Sequence, residues 1–263
     1  MNLENLCKQV VSETRCVGAF IREEGQKFDA SKIEHKGFND LVSYVDKEAE
    51  KQLVDALKKL LPEAGFITEE GTESTRKEIY NWIIDPLDGT TNFMHALPVF
   101  SISVALMQGN EIVLGVIYEI NRDETFSAWK NGGAFLNNKP IKVSKAEKLA
   151  DSLVATGFPY TTFGKMQDYL KILGAFMAKS HGVRRLGSAA VDLAYVACGR
   201  FEGFFEFNLN AWDVAAGVLI VREAGGNVTT FKEAGDPVFD REIVASNSAV
   251  HAEMLAVIKE CNW

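Results

Sequence analysis

Residues 82–93 read WIIDPLDGTTNF, and this stretch predicts both a buried strand and a site at its end. An apolar run typical of a buried strand leads into two aspartates three positions apart, Asp85 and Asp88. Pro86 fixes a backbone φ angle between them, Gly89 permits a tight turn, and the two threonines that follow can cap a helix. Open α/β sheets place ligand-binding groups where strands end in such turns. The stretch therefore predicts a ligand site at the end of a strand.

Rigidly presented carboxylates without a nearby basic residue need a cation. An all-oxygen ligand set selects a hard ion, so we expect Mg²⁺, with Mn²⁺ as a possible substitute, in preference to zinc. The alternative is that Asp85 begins a turn and that Asp88 and Gly89 are an ordinary turn pair. For an isolated D-x-x-D-G motif that alternative is the commoner one.

Two further acidic features favour the metal site. Glu69 and Glu70 end a second short apolar run, FIT, a little upstream of the motif. Asp213 lies in NAWDVAAG, the polar opening of a strongly apolar helix. An aspartate at a helix N-terminus is usually only a cap, so each feature taken singly also has a structural explanation.

The sequence lacks the motifs of several other kinds of functional site. The chain has neither the P-loop motif nor the G-x-G-x-x-G fingerprint, and no EF-hand loop fits. Its four histidines and four cysteines are scattered, which gives no support to a zinc site, a Ser-His-Asp triad or a redox motif. Nothing marks a nucleophilic serine or cysteine.

The rest of the chain predicts a layered α/β protein. Helical periodicity covers 3–25 and 41–62, and a β-meander begins near residue 100 and ends at Asn131-Gly132-Gly133. Strands and helices alternate after that. We expect a single unit over residues 1–263, with a soft subdivision near 145–152 between an N-terminal α+β part and a C-terminal α/β part.

Charge and composition limit the partners. The 263 residues carry a formal net charge of -8, and 47% of them are hydrophobic, which suffices for a substantial core. The acidity argues against nucleic acid or an anionic membrane as the main partner and, at first sight, against a phosphorylated substrate. No apolar run approaches the roughly 18 residues of a membrane span, and there is no signal peptide, so we expect a cytoplasmic protein.

Three blocks of the sequence resemble the inositol monophosphatase family of metal-dependent, lithium-sensitive phosphatases. They are TEEGT (68–72), WIIDPLDGTTNF (82–93) and WDVAAGVLIVREAGG (212–226), and a fourth stretch at 184–206 is similar to the bacterial branch. The resemblance covers nearly the whole chain. It implies the αβαβα sandwich of the inositol monophosphatase and fructose-1,6-bisphosphatase type, a homodimer, and inhibition by millimolar lithium.

The resemblance also implies roles for individual residues. The first metal ion would bind Glu69, Asp85 and the Leu87 carbonyl. The second would bind Asp85, Asp88 and Asp213, and a third, weaker ion would contact Glu69. Thr90, paired with Asp46, would polarise the attacking water, and Gly89 and Thr90 would contact the phosphate; the catalytic set is Glu69, Asp46, Thr90, Asp85 and Asp88. The inositol-binding positions fall on Asp88, Gly187, Ser188, Ala189, Glu206 and Asp213.

The implied reaction is hydrolysis of inositol-1-phosphate to myo-inositol and phosphate by in-line attack of a metal-activated water, without a phosphoenzyme. Fructose-1,6-bisphosphate, histidinol phosphate and NADP remain alternative substrates, and a role in a transcription-antitermination complex is a further alternative. Two bound divalent ions would add about +4 and remove the objection that the acidity raised against an anionic substrate. The roles of Glu70, Lys36, Asp40, Arg184 and Arg185 stay open.

Overall fold

The structure is a computed structural model that describes residues 1–27, 34–37, 40–42, 44–158 and 163–263, with only the backbone for 34–37 and 40–42. The side chains of Lys36 and Asp40, which the sequence places near the site entrance, lie outside the described part. The elements of the first half are α1 (Leu3–Gln26), β1 (Glu34–Gly37), β2 (Asp40–Val42), α2 (Tyr44–Leu60), β3 (Gly65–Thr68), β4 (Tyr80–Asp88), α3 (Thr90–Met94), β5 (Ser101–Gln108), β6 (Glu111–Glu119), β7 (Glu124–Trp129), β8 (Gly133–Leu136) and β9 (Lys139–Ile141).

The second half alternates strands and helices, as its sequence predicts. A short 3-10 helix at Leu149–Asp151 precedes it. Its elements are β10 (Leu153–Thr156), α4 (Met166–Lys179), β11 (Gly182–Arg184), α5 (Ala189–Ala197), β12 (Gly203–Phe207), α6 (Ala211–Glu223), β13 (Asn227–Thr229), β14 (Glu242–Ser246) and α7 (His251–Glu260).

Two large sheets form the scaffold. The first has seven strands in the order β3-β4-β5-β6-β7-β8-β9, where β3 and β4 are parallel and every later pair is antiparallel. The second has five strands in the order β11-β10-β12-β14-β13, with parallel pairs around β10 and antiparallel pairs around β14. The chain leaves the first sheet at Ile141 and enters the second at Leu153.

The sheets and helices stack in five layers. Helices α1 and α2 cover the outer face of the seven-stranded sheet, because their apolar stripes, which include Val10, Ile21 and Leu53, are buried against it. Helices α5 and α6 lie between the two sheets and are apolar on almost all sides, as a helix covered on both faces must be. Helices α4 and α7 cover the outer face of the second sheet. The expected αβαβα sandwich is confirmed.

One boundary predicted from the sequence is wrong. Asn131-Gly132-Gly133 does not end the meander but turns the chain from β7 into β8, and β9 extends the sheet further. The turn residues Asn131 and Gly133 adopt the positive φ angles of a tight hairpin, so the Gly-rich signal marks one more turn rather than the edge of the sheet. In the described part of the chain, no helix is long and apolar enough to cross a membrane.

Candidate functional site

A β-bulge shapes the end of β4. Asp85 pairs with Ser103 and Asp88 with Ser101, so three steps along β4 correspond to two steps along β5. The extra residue lies in the Pro86-Leu87 segment, and the Leu87 backbone N–H donates to Asp85 Oδ1 at 2.9 Å. A bulge of one residue returns Asp85 and Asp88 to the same side of the strand, although residues three apart on a regular strand face opposite sides.

The two aspartates line a cavity of about 350 Å³ together with acidic residues from other elements. Glu69 follows β3 directly, and Asp213 lies in the first turn of α6. The Asp213 carboxylate accepts a hydrogen bond from the Asn210 backbone N–H at 2.6 Å, so it does cap the helix as well as line the cavity. Two sheet strands and one central helix thus bring four carboxyl groups into one cavity.

Crowding of these carboxyl groups raises their pKa values. Burial, followed by the charges of Glu69, Asp88 and Asp213, raises the pKa of Asp85 well above its ordinary value. Loss of hydration and the neighbouring Asp88 raise the pKa of Asp213 to about 7. The pKa of Asp88 rises to about 6, because lost hydration outweighs the hydrogen bonds that Ser188 Oγ and the Ala190 N–H donate to it. Like charges held this closely favour either shared protons or a bound cation.

The oxygen atoms of these carboxyl groups are ligands that a hard divalent cation prefers. Among the described residues, no three histidine, cysteine, aspartate or glutamate side chains are placed so that they could hold a metal ion together. The carboxyl groups contact one another instead, because the Asp85 carboxyl forms hydrogen bonds with those of Glu69 and Asp213. Loss of the shared protons leaves four carboxylates beside the Leu87 carbonyl, an all-oxygen set that is typical of Mg²⁺ and Mn²⁺.

Thr90 connects the bulge to helix α2. Its hydroxyl Oγ1 lies 3.0 Å from Asp46 Oδ1 and 3.0 Å from the Leu87 carbonyl oxygen, and Asp46 is fully buried. The expectation that the threonines cap the next helix is wrong, because the residue at the N-cap of α3 is Gly89 and no side chain caps it. Gly89 has φ +98°, a conformation that glycine adopts at little cost.

The N-terminus of α5 closes the cavity opposite the bulge. Ser188 Oγ donates to Asp88 Oδ2 at 2.6 Å, and Ala189 and Gly187 line the cavity beside it. Asn92, which is buried, donates through Nδ2 to the Leu186 carbonyl at 2.9 Å. The structure therefore brings the sequence-predicted segments 85–90 and 187–189 into direct contact.

Glu206 occupies another part of the same cavity. It lies on β12 and is buried, and this burial together with the charge of Asp213 raises the pKa of its carboxyl to about 8. Gly157 forms the wall behind it, since a Cβ atom at position 157 would lie 2.1 Å from both carboxylate oxygens. Any side chain at residue 157 would displace the Glu206 carboxyl.

For the phosphatase activity that the sequence resemblance implies, we expect Gly157→Ala to impair recognition of a bulky alcohol group more than hydrolysis of the phosphate ester bond. The variant should raise the KM for a sugar or polyol phosphate about tenfold, as the loss of one polar contact typically does, and leave the kcat for p-nitrophenyl phosphate nearly unchanged. Steady-state kinetics with both esters provides the measurement. Equal losses with the two esters would show that Gly157 supports the cavity in general rather than Glu206.

The residues with open roles fall in different places. Arg185 lines the cavity, with its guanidinium 5.8 Å from the Phe158 ring centre, whereas Arg184 is exposed on β11. Glu70 is half-buried, and its backbone N–H donates to Glu50 Oε2 at 2.7 Å.

Sequence reasoning missed three residues. Asp192 is buried in the cavity wall, and burial and the charge of Glu206 raise its pKa well above the ordinary value. Arg241 also lines the cavity and binds the Asn210 side chain at 2.8 Å. Glu50 supports the segment after Glu69. Only Glu50 had a signal in the sequence, namely its spacing of one helical turn from Asp46.

Comparison with known proteins identifies the family. The model of the inositol monophosphatase family matches residues 2–262. The inositol-1-monophosphatase of Mesorhizobium japonicum is 43% identical over 226 residues, which cover 86% of this chain and 85% of that protein. Nus factor SuhB of Escherichia coli (strain K12) is 41% identical over 252 residues, which cover 95% of this chain and 94% of that protein.

A solved structure agrees with these sequence matches. The crystal structure of the extragenic suppressor protein suhB from Bartonella henselae has a TM-score of 0.92 to this chain, with 38% sequence identity and 99% of each chain covered. The protein therefore belongs to the inositol monophosphatase family, a family of metal-dependent phosphatases.

Proposed function

We propose that this protein hydrolyses inositol-1-phosphate to myo-inositol and phosphate and that the reaction depends on Mg²⁺. The observation that supports the proposal most is the composition of one cavity. It holds the four crowded carboxyl groups of Glu69, Asp85, Asp88 and Asp213 and, in the same space, the buried carboxyl of Glu206. The four crowded carboxyl groups can coordinate divalent cations, and the Glu206 carboxyl can form hydrogen bonds with the hydroxyl groups of a polyol.

The proposed metal-binding residues divide into two overlapping sets. Glu69, Asp85 and the Leu87 carbonyl would hold one ion, and Asp85, Asp88 and Asp213 a second, while a third ion would contact Glu69. Bound divalent ions supply Lewis acidity to phosphoryl oxygens and lower the pKa of a bound water.

The protein's own residues orient the reactants. When the Thr90 hydroxyl donates its hydrogen to Asp46, its lone pairs are free to accept a hydrogen bond from the attacking water and to aim it. The backbone at Gly89 and Thr90 would contact the phosphate. Glu206, Ser188, Ala189 and Gly187 would bind the alcohol part, together with Asp88 and Asp213. No side chain in this proposal attacks phosphorus, so trapping of a phosphoenzyme would contradict it.

A panel of phosphate esters tests the proposal. With Mg²⁺, we expect the kcat/KM for inositol-1-phosphate to exceed those for fructose-1,6-bisphosphate, histidinol phosphate and NADP by about tenfold or more, since substrate hydroxyl contacts discriminate strongly. A higher value for any of the other three would replace the proposed substrate, and no turnover of any ester would end the phosphatase proposal. Millimolar Li⁺ should inhibit, and Mn²⁺ should replace Mg²⁺ at least in part.

A second candidate function is an accessory role in a transcription-antitermination complex. The relative from Escherichia coli named Nus factor SuhB, 41% identical over almost the whole chain, favours it. A pull-down from native lysate with the tagged protein and its Asp88→Asn variant tests this role. Recovery of RNA polymerase by both proteins would support a role that is independent of catalysis, and recovery by neither would remove it.

We also propose that the protein is a cytoplasmic homodimer. Exposed apolar side chains lie just before and along α4, among them Phe163, Leu170 and Met177, and they support burial against a second subunit. Light scattering should give twice the mass of the chain. A monomer at micromolar concentration would contradict the dimer.

A further inference from the structure

Glu69 is the proposed metal ligand with the least support from regular structure. Asp85 and Asp88 belong to β4, which has a paired strand on each side, and Asp213 belongs to α6, but Glu69 opens the irregular segment 69–79 between β3 and β4. Its backbone N–H donates to the Ile84 carbonyl at 3.3 Å, which ties residue 69 to the strand beside it. The residues that follow need another anchor if the Glu69 side chain is to keep a fixed position.

Glu50 supplies that anchor from helix α2. Its Oε2 accepts the Glu70 backbone N–H at 2.7 Å, and its Oε1 accepts the Thr72 backbone N–H at 2.8 Å and the Thr72 hydroxyl at 2.5 Å. Glu50 itself is fully buried, whereas Glu70 is half-buried and Thr72 is exposed, so the loss of these donors would leave a buried carboxylate short of partners, which is costly.

The position of Glu50 on the helix relates it to catalysis. Asp46, which accepts the Thr90 hydroxyl, lies one helical turn before Glu50 on the same face of α2, and both are fully buried. One helix face therefore holds the segment of Glu69 and the segment of Thr90 at a fixed separation.

We propose that Glu50 is a positioning residue that fixes Glu69 for metal binding without being a ligand itself. The inference rests on the metal site of the proposed function. The cavity wall includes Glu69 but not Glu50, so Glu50 acts through the backbone of residues 70–72. Residues that orient a metal ligand in this way typically contribute 10–100-fold to metal affinity.

Direct metal binding measures this effect without any substrate. Isothermal titration calorimetry or the EPR signal of free Mn²⁺ gives the affinity of the metal-free protein. We expect Glu50→Gln, which replaces an acceptor oxygen by an amide donor facing the backbone N–H groups, to weaken Mn²⁺ binding by about tenfold or more. The KM for substrate at saturating metal should change little.

A matched variant on the same helix provides the control. Glu48→Gln makes the same chemical change two residues away, where the side chain is half-buried and accepts a hydrogen bond from Gln52. It should leave the Mn²⁺ affinity within about twofold of the wild type, as surface substitutions usually do. An equal loss in Glu48→Gln and Glu50→Gln would overturn the proposal.

Thr72→Val keeps the inference testable even if Glu50→Gln does not fold. It removes the hydroxyl of an exposed threonine that donates to Glu50. We expect Mn²⁺ binding to weaken about threefold, which corresponds to the loss of one weak hydrogen bond. Wild-type Mn²⁺ affinity in a folded Glu50→Gln, or in Thr72→Val when Glu50→Gln is unfolded, would overturn the proposal. Normal Mn²⁺ binding by a wild-type protein that cleaves no ester would instead contradict only the proposed function.

Discussion

The Asp85→Asn variant is expected to lose about 10³-fold or more in kcat at saturating Mg²⁺, while the metal-free variant stays as stable as the wild type or becomes more stable. Asp85 belongs to both proposed metal sets, so the loss of its charge weakens both. The asparagine keeps an oxygen that can accept the Leu87 N–H, so the bulge retains its internal hydrogen bond.

The expected gain in stability follows from the crowding of acids. Burial and three neighbouring carboxyl groups raise the pKa of Asp85, which means that its ionised form destabilises the folded state. A neutral amide has no such cost. Thermal unfolding in EDTA and steady-state kinetics in Mg²⁺ measure the two effects separately.

The control for this variant is Asp55→Asn on the exposed side of α2, which should alter neither property. A large and parallel loss of melting temperature and of activity in Asp85→Asn would show that Asp85 is mainly a structural residue. That result would remove the metal-ligand role proposed for it.

Without metal, the protein should become less stable as the pH rises from about 4 to about 8. In the folded state the pKa is about 6 for Asp88, about 7 for Asp213 and about 8 for Glu206, all above the ordinary values of 3.8 and 4.5. Below the ordinary values the groups are protonated in both states, so the full stability is present. Above them the unfolded chain releases protons that the folded protein retains, and stability falls until the folded groups have ionised.

Mg²⁺ should remove most of this loss. A divalent cation favours the ionised carboxylates, so its binding releases protons and becomes tighter as the pH rises. At a concentration of about 100 times its Kd, the ion stabilises the folded state by about 2.7 kcal/mol. Melting temperatures at several pH values in EDTA and in Mg²⁺ test the prediction, and calorimetry in buffers of different ionisation enthalpy counts the released protons. Parallel melting curves against pH in the two solutions would show that no cation binds among these carboxyl groups.

The sequence predicted those parts of the fold and of the site whose signal lies within a short stretch of residues. The D-x-x-D motif, the Glu69 segment and Asp213 each carry their signal within a few residues, and the structure brings all of them to one cavity. The layered architecture follows from helical and strand periodicity in the same way, and it is confirmed.

Long-range contacts account for what the sequence could not predict. Glu50 contacts residues 20 and 22 positions away, and Arg241 contacts residue 210 from 31 positions away. Nothing local to either residue indicates these partners. Strands β8 and β9 were missed for another reason, because a turn signal does not show whether the sheet continues beyond it.

The bulge in β4 has a consequence for how this protein can lose its activity. Asp88 faces the cavity together with Asp85 because the three residue steps between them on β4 are matched by only two steps on β5, from Ser103 to Ser101. Deletion of one residue between the two aspartates would restore a regular ladder in which Asp85 and Asp88 stay on one side, but it would remove the bulged backbone that presents the Leu87 carbonyl beside them. A change of one residue in this turn is therefore enough to separate the pairing of the sheet from the proposed metal chemistry.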